Sequence, residues 1–282
     1  MTDLREVYQH HADQYELLVS RDDYERNLLP ALKCIRPLAG QDIIDLGSGT
    51  GRLAWMLAPL ARSVHAFDVS QHMLDVAIAK LQASGAVSWQ AGVADHRRLP
   101  LEDNVADVAI SGWSMVYTAI WSPEPWQQEV DLALAEIRRV LRPAGTVTIV
   151  ERLGTGHETP HPPEELVPYR DYLEANGFSS TWLRTDYRFE SLAEAQALSR
   201  FFFGDERAQE VAEKNWTVLP ECTGIWWRTA DEHKWQMLAA STADLPLHRR
   251  HAPRWLFQRI ALLGFQLSPV VVSKLGEGVP CR

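Results

Sequence analysis

Three glycines spaced two apart, Gly47, Gly49 and Gly51, separate a short apolar run (Ile43, Ile44, Leu46) from a helical pattern that opens at Arg52. Strand, glycine turn and helix form the first half of a βαβ unit, and the bend between them needs small residues. Such a turn lets a ligand approach the main chain. It also presents amide groups near a helix N-terminus, where anionic groups are favoured. Asp45 ends the strand and places a carboxylate at the lip of the same crevice. Amides on one side and a carboxylate on the other suit an amino acid, with its carboxylate and ammonium.

A dinucleotide site wants G-x-G-x-x-G, whereas this chain has G-x-G-x-G with Asp45 two residues before it. The sequels add to the turn. Val64 to Asp68 is a second short apolar run that ends in an acid, the place where a ribose diol is held. Ala94-Asp95 followed by Leu99-Pro100-Leu101 closes a third, and Arg142-Pro143-Ala144-Gly145 turns into a fifth over 146–150.

With these pieces in place (Asp45-x-Gly-x-Gly-x-Gly51, Asp68-Val-Ser-x-x-Met-Leu74, Asp95-x-x-x-Leu-Pro100, Asp107-x-x-x-Ser111, Leu141-Arg-Pro-x-Gly145), the chain resembles the class I S-adenosylmethionine-dependent methyltransferases. Within that family it is most similar to the small-molecule group that includes the ubiquinone/menaquinone-type enzymes. The resemblance covers roughly residues 40–150. It implies that Gly47, Gly49 and Gly51 line the methionine part of S-adenosyl-L-methionine, with Asp45 and Ser48 beside them. It puts Asp68 on the ribose hydroxyls, Asp95 near the adenine amino group, and Ser111, Gly112 and Trp113 along the methionine. Val69, Met73 and Ala94 complete that set; on the N-terminal lid helix, Tyr8 or Tyr15 either packs its ring on the sheet or covers the sulfonium, where an aromatic face attracts a cation.

The fold expected is α/β: a Rossmann-like, mostly parallel sheet with helices on both faces and an antiparallel last strand. A chain of 282 residues, 46% apolar and 23% charged, can bury the core this requires. Residues 1–35 read as lid helices and 36–229 as the methyltransferase domain, with a helical insertion at about 190–217. Residues 230–282 read as an extension with seven Lys/Arg against four Asp/Glu beyond residue 230. The pattern predicts strands at about 42–46, 64–68, 87–91, 105–110, 178–189 and 220–228. Helices are predicted at about 51–61, 71–84, 127–141, 163–176, 191–203 and 206–216.

A net charge of −9 argues against nucleic acid as the partner. No apolar run is long enough to span a bilayer, the N-terminus lacks a signal pattern, and Cys34, Cys222 and Cys281 are scattered, without the spacing of a disulfide framework or a metal site. The expectation is a cytoplasmic protein without a metal, acting on a small molecule; oligomeric state is not legible.

For the acceptor, the segment after the fourth strand carries Trp113, Tyr117, Trp121 and Trp126. These rings either cement the next helix or form a wall around a planar or apolar acceptor. His157, past the fifth strand, is placed to remove a proton from a nucleophile, and is otherwise a solvated loop histidine. Arg184 is either the solvent face of its strand or an anion clamp. His96, Arg97 and Arg98 read as a solvated turn. Direct displacement needs alignment of nucleophile, methyl and sulfur, which accounts for a sequence with no triad or metal cluster. Two rivals stand beside it. One is a cofactor-binding sensor without turnover. The other is a nicotinamide-dependent oxidoreductase, disfavoured by the glycine spacing, by Asp45 and by the lack of a Tyr-x-x-x-Lys pair.

Overall fold

Ile43 and Ile44 show why the central strand is an unbroken apolar run. In the computed structural model, which describes residues 4–122 and 125–230, both are buried but on opposite faces of the sheet. Ile43 packs with Val64, Val108 and Val150 on one side, and Ile44 with Ala109, Val147 and Ile149 on the other. A parallel strand covered on both faces cannot alternate apolar with polar residues. This strand, β1 (Asp42–Leu46), lies between β2 (Ser63–Asp68) and β4 (Ala106–Gly112), with Ile43 opposite both Val64 and Val108.

With β3 (Trp89–Val93), β5 (Leu141–Thr155), β6 (Ser179–Arg184) and β9 (Glu221–Thr229), these make a seven-stranded sheet ordered β3-β2-β1-β4-β5-β9-β6. The last strand, β9, runs antiparallel to both β5 and β6, which is the insertion the sequence led us to expect. One face is covered by α3 (Leu28–Ile35), α4 (Arg52–Leu57) and α5 (Gln71–Ala83), and the other by α6 (Met115–Ile120), α7 (Gln127–Val140) and α8 (Val167–Ala175). In α7 the buried positions Val130, Ala133, Leu134, Ile137 and Val140 recur every three or four residues and face the sheet. Each large apolar side chain buried this way contributes about 1.5–3 kcal/mol.

The N-terminal helices α1 (Leu4–His10) and α2 (Ala12–Val19) rest on α5. The Ser70 hydroxyl donates to the Tyr8 carbonyl (2.8 Å), His72 accepts from the Ala12 amide (3.3 Å), and Lys80 pairs with Glu16 (2.7 Å). Ser70 also caps α5 by accepting from the Met73 amide. The insertion is α9 (Leu192–Phe203) and α10 (Asp205–Glu213). Ser191 caps α9 as expected, accepting the Glu194 amide, while the Glu194 carboxylate reaches back to the Glu190 amide rather than to Ser191.

Three expectations need correction. The helix after the glycine turn ends at Leu57, not near 61. The helix of 163–176 opens as a 3-10 turn (Glu164–Leu166) and becomes α-helical at Val167. The strand expected over 178–189 breaks at Thr185-Asp186, and its end, β7 (Tyr187–Arg188), pairs with β8 (Val218–Leu219) in a separate small sheet. The break is fixed by β9: the Thr185 amide donates to the Glu221 carbonyl, and the Asp186 carboxylate accepts the Glu221 amide (3.0 Å each). The C-terminal extension from residue 231 lies outside the described residues. Among those described, no helix is long and apolar enough to cross a membrane.

Candidate cofactor and acceptor site

The glycine turn is tied to the end of the second strand, not merely near it. The Gly49 amide donates to Asp68 Oδ2 and the Ser70 amide to Asp68 Oδ1, both at 2.8 Å, while the Ser48 amide donates to the Phe67 carbonyl at 2.9 Å. Burial raises the Asp68 pKa, against the pull of its backbone hydrogen bonds. Each carboxylate oxygen offers two lone pairs, so Asp68 keeps acceptor capacity after binding both amides. On the side where a Cβ would stand, Gly49 faces Met73 Cε at 3.8 Å and Tyr15 Cε1 at 3.9 Å. Tyr15, Gly49, Met73 and Asp68 thus converge at one spot, although α2 and α5 are far apart in sequence. Ala94 is buried alongside, its amide bound to the Asp68 carbonyl at 3.0 Å, and Val69 is exposed.

Asp45 does not stand at an open lip. It is 1% exposed and accepts the Ala54 amide of α4 with one oxygen (2.9 Å). Its other oxygen is buried with no hydrogen-bond partner among the described residues, as are Ser48 Oγ and Thr50 Oγ1. Burial pushes the Asp45 carboxyl up to about 7, and the Asp68 charge adds to the rise. Gly47 and Gly51 are crowded where Gly49 is open. A Cβ on Gly51 would lie 2.8 Å from Ala77 Cβ, so this glycine lets α5 approach the turn.

A Cβ on Gly47 would meet Ser114 Oγ and His96 Nε2. Here the sequence reading missed a residue: His96 is not part of a solvated turn. It lies 3.3 Å from Ser114 Oγ, which donates to the Leu46 carbonyl (3.0 Å) and meets Ser111 Oγ at 3.1 Å. Burial lowers the His96 pKa to about 4, so the ring is neutral at pH 7. The only available signal was its place directly after Asp95 at a strand end. Arg97 is likewise engaged: it holds Asp95 through Nε (2.8 Å) and Nη2 (2.5 Å) and reaches Glu129 at 2.6 Å. Burial raises the Asp95 pKa, but the bonds from Arg97 outweigh it and leave the carboxyl below its usual range.

The aromatic residues divide. Trp126 packs on Tyr169 and Tyr172 over α8, the cementing role. Tyr117 and Trp121 stack at 4.4 Å and meet Tyr8 of α1, whose hydroxyl donates to the Tyr117 hydroxyl at 3.0 Å; Tyr8 in turn touches Tyr15 edge-on. Trp113, just past Gly112, takes a left-handed backbone (φ 52°) and lies under the Arg52 guanidinium, which is paired with Asp22. Helices α1 and α2 and the segment after β4 therefore share one aromatic cluster.

His157 and Arg184 fall in a different neighbourhood. His157 stacks on His161 at 4.0 Å, and burial, with the His161 and Arg207 charges, lowers its pKa. Arg184 is bound at both ends of its fork to Asp186 (2.7 and 2.6 Å). Cys222 links the two, its thiol donating to the His157 carbonyl at 3.4 Å.

Two buried acids had no sequence signal. Glu151 accepts the Val116 amide at 3.0 Å, and Glu221 opens β9 opposite Thr155. Burial pushes each up to about 8, against the nearby charge of Arg152. Among the described residues, no group of three or more His, Cys, Asp or Glu is arranged to hold a metal.

A methyltransferase domain model matches residues 44–149. A ubiquinone/menaquinone biosynthesis C-methyltransferase of Rubrivivax gelatinosus is 30% identical over 151 residues, covering 52% of this chain and 55% of that protein. An uncharacterised methyltransferase of Mycobacterium bovis is 34% identical over 131 residues, covering 44% and 47%. The chain therefore spans about half the length of the curated relatives it matches. The YcgJ protein of Bacillus subtilis shares the fold, with a TM-score of 0.52 over 74% of this chain and 100% of that one at 15% identity. The matched segment holds the glycine turn, Asp68, Asp95 and Ser111, and these likenesses support a class I S-adenosylmethionine-dependent methyltransferase.

Proposed function

We propose that this protein binds S-adenosyl-L-methionine at the glycine turn and transfers its methyl group to a small planar or apolar acceptor held under the lid helices. The observation that carries the reading is the unmet polar capacity of the turn: Asp45 Oδ1, Ser48 Oγ and Thr50 Oγ1 are buried without partners beside the opening at Gly49. Buried polar groups are normally hydrogen-bonded, so a ligand that supplies partners is the economical explanation. Asp45 suits the ammonium of the amino-acid part, and Asp68, with acceptor capacity left over, suits the ribose diol. Asp95 suits the adenine amino group, although Arg97 already holds both its oxygens and must share them.

When bound, the sulfonium supplies an electrophilic methyl group. The work left to the protein is alignment and exclusion of water. Tyr15, in contact range of the Gly49 opening, offers a ring to the positive charge, and the Tyr8–Tyr117–Trp121 cluster offers a wall to the acceptor. His157 and Arg184, beside the start of β9, are further candidates for acceptor contact.

Calorimetric titration with S-adenosylhomocysteine tests the reading, and absence of binding would refute it. Asp68→Ala is expected to weaken that binding by about 1–3 kcal/mol, roughly 5- to 150-fold, because it removes a charged acceptor and releases the Gly49 and Ser70 amides it holds. An affinity equal to the parent's would remove Asp68 from the site. Turnover is read separately, as methylated product by mass spectrometry across a panel of phenols, amines and quinols.

A further inference from the structure

Glu221 is 2% exposed, and neither of its carboxylate oxygens has a hydrogen-bond partner among the described residues. Beside it, Thr155 Oγ1 is buried and equally unpartnered. Thr155 is near enough to favour the ionised form of Glu221, yet the two side chains do not reach hydrogen-bond geometry. Three buried polar atoms without partners at one point are an expensive arrangement for a core.

Their position explains them better than their contribution to stability does. Because β9 runs antiparallel, its first residue lies at the same edge of the sheet as the last residue of β5, and Thr155 pairs with Glu221 there. This is the carboxyl edge, where the glycine turn also opens. The β5–β9 register shifts between Arg152 and Gly154, so the ladder is irregular just before this pair. Arg152 flanks the spot, and its charge favours the ionised form of Glu221. Its guanidinium also approaches Phe203 of α9, at 5.9 Å from the ring centroid. The unpartnered acid and threonine thus lie together at the sheet edge where the glycine turn opens.

We propose that Glu221, with Thr155 beside it, is the polar anchor of the acceptor pocket and receives a hydroxyl or amine hydrogen of an aromatic acceptor. The proposal rests on the methyl-transfer reading for the word acceptor, but the pocket and its preference for a donor-bearing ring are testable without it. Three probes of similar shape separate the contributions: benzyl alcohol, benzylamine and toluene, titrated into the full chain by saturation-transfer NMR, with and without S-adenosylhomocysteine.

Both donor-bearing probes are expected to bind at least fivefold more tightly than toluene. Glu221→Leu is expected to abolish that preference while leaving toluene affinity and S-adenosylhomocysteine affinity within twofold of the parent. Glu221→Gln, which keeps a carbonyl acceptor, is expected to restore preference for benzyl alcohol. Thr155→Val gives a second measurement should the leucine variant fold poorly, with an expected twofold to threefold loss for the donor probes. Equal binding of all three probes by the parent, or a donor preference that survives in both Glu221→Leu and Thr155→Val, would overturn the proposal. Donor preference with no S-adenosylhomocysteine binding would support the pocket and sink the methyl-transfer reading alone.

Discussion

Gly51→Ala is expected to destabilise the protein by about 2–5 kcal/mol, whereas Gly49→Ala, two residues earlier, loses only about 1–2 kcal/mol of stability and instead loses ligand binding. Both glycines have left-handed backbones, with φ of 76° and 54°, so an alanine meets the same conformational strain at either position. What differs is the space. At position 51 the new methyl group would press on Ala77 at 2.8 Å from its Cβ and 3.1 Å from its Cα, and a backbone atom cannot swing away. At position 49 it would meet only the tips of Met73 and Tyr15, at 3.8 and 3.9 Å. Urea denaturation of the two variants, with S-adenosylhomocysteine titrations on each, separates the roles. Equal loss of stability would show that Gly51 does not set the approach of α5 to the turn. Undiminished ligand affinity in Gly49→Ala would show that nothing binds at the open side of the turn.

That contrast also marks how far a sequence can be read. The turn, its strands and most of the helices were legible because the signals are local: glycine spacing, apolar runs of strand length, Ser70 and Ser191 at helix starts. The antiparallel insertion of β9 followed from the family resemblance, not from any periodicity. Which of three similar glycines is open and which are crowded was not legible, since that depends on what α2, α5 and α6 bring against them. His96 and Glu221 were invisible for a related reason. Each is an ordinary polar residue in sequence, and each gains meaning only through burial and pairing across the sheet. Trp126 and Trp121 could not be told apart either: five residues apart in one segment, they end on different surfaces, one on α8 and the other beneath α1. The break at Thr185-Asp186 was hidden because its cause, the start of β9, lies some 35 residues downstream.

Asp45→Asn is expected to make the protein more stable at pH 8 than the parent, by up to about 4 kcal/mol, and no more stable at pH 4. The sign follows from where the proton sits. The Asp45 carboxyl is raised from an ordinary 3.8 to about 7 in the folded protein. Below pH 4 folded and unfolded chains both hold the proton, so the contribution is fully present. As pH rises from about 4 to 7 the unfolded chain releases its proton while the folded chain retains it, and folding loses stability; above 7 the loss is constant. Asparagine can still accept the Ala54 amide but has no proton to lose. Asp22, raised by burial to about 6, and Glu151 and Glu221, raised to about 8, tilt the parent in the same direction, so the difference between parent and variant isolates Asp45. A positive charge brought to Asp45 stabilises its ionised form, so a cationic ligand is favoured there. Binding of S-adenosylhomocysteine, whose ammonium provides that charge, is therefore expected to release about half a proton at pH 7 in the parent and close to none in Asp45→Asn. Titration in two buffers of different ionisation enthalpy measures the release directly. Equal proton release in parent and variant would place the ammonium away from Asp45, and identical pH-dependence of stability in the two would show that the buried carboxyl holds no displaced proton.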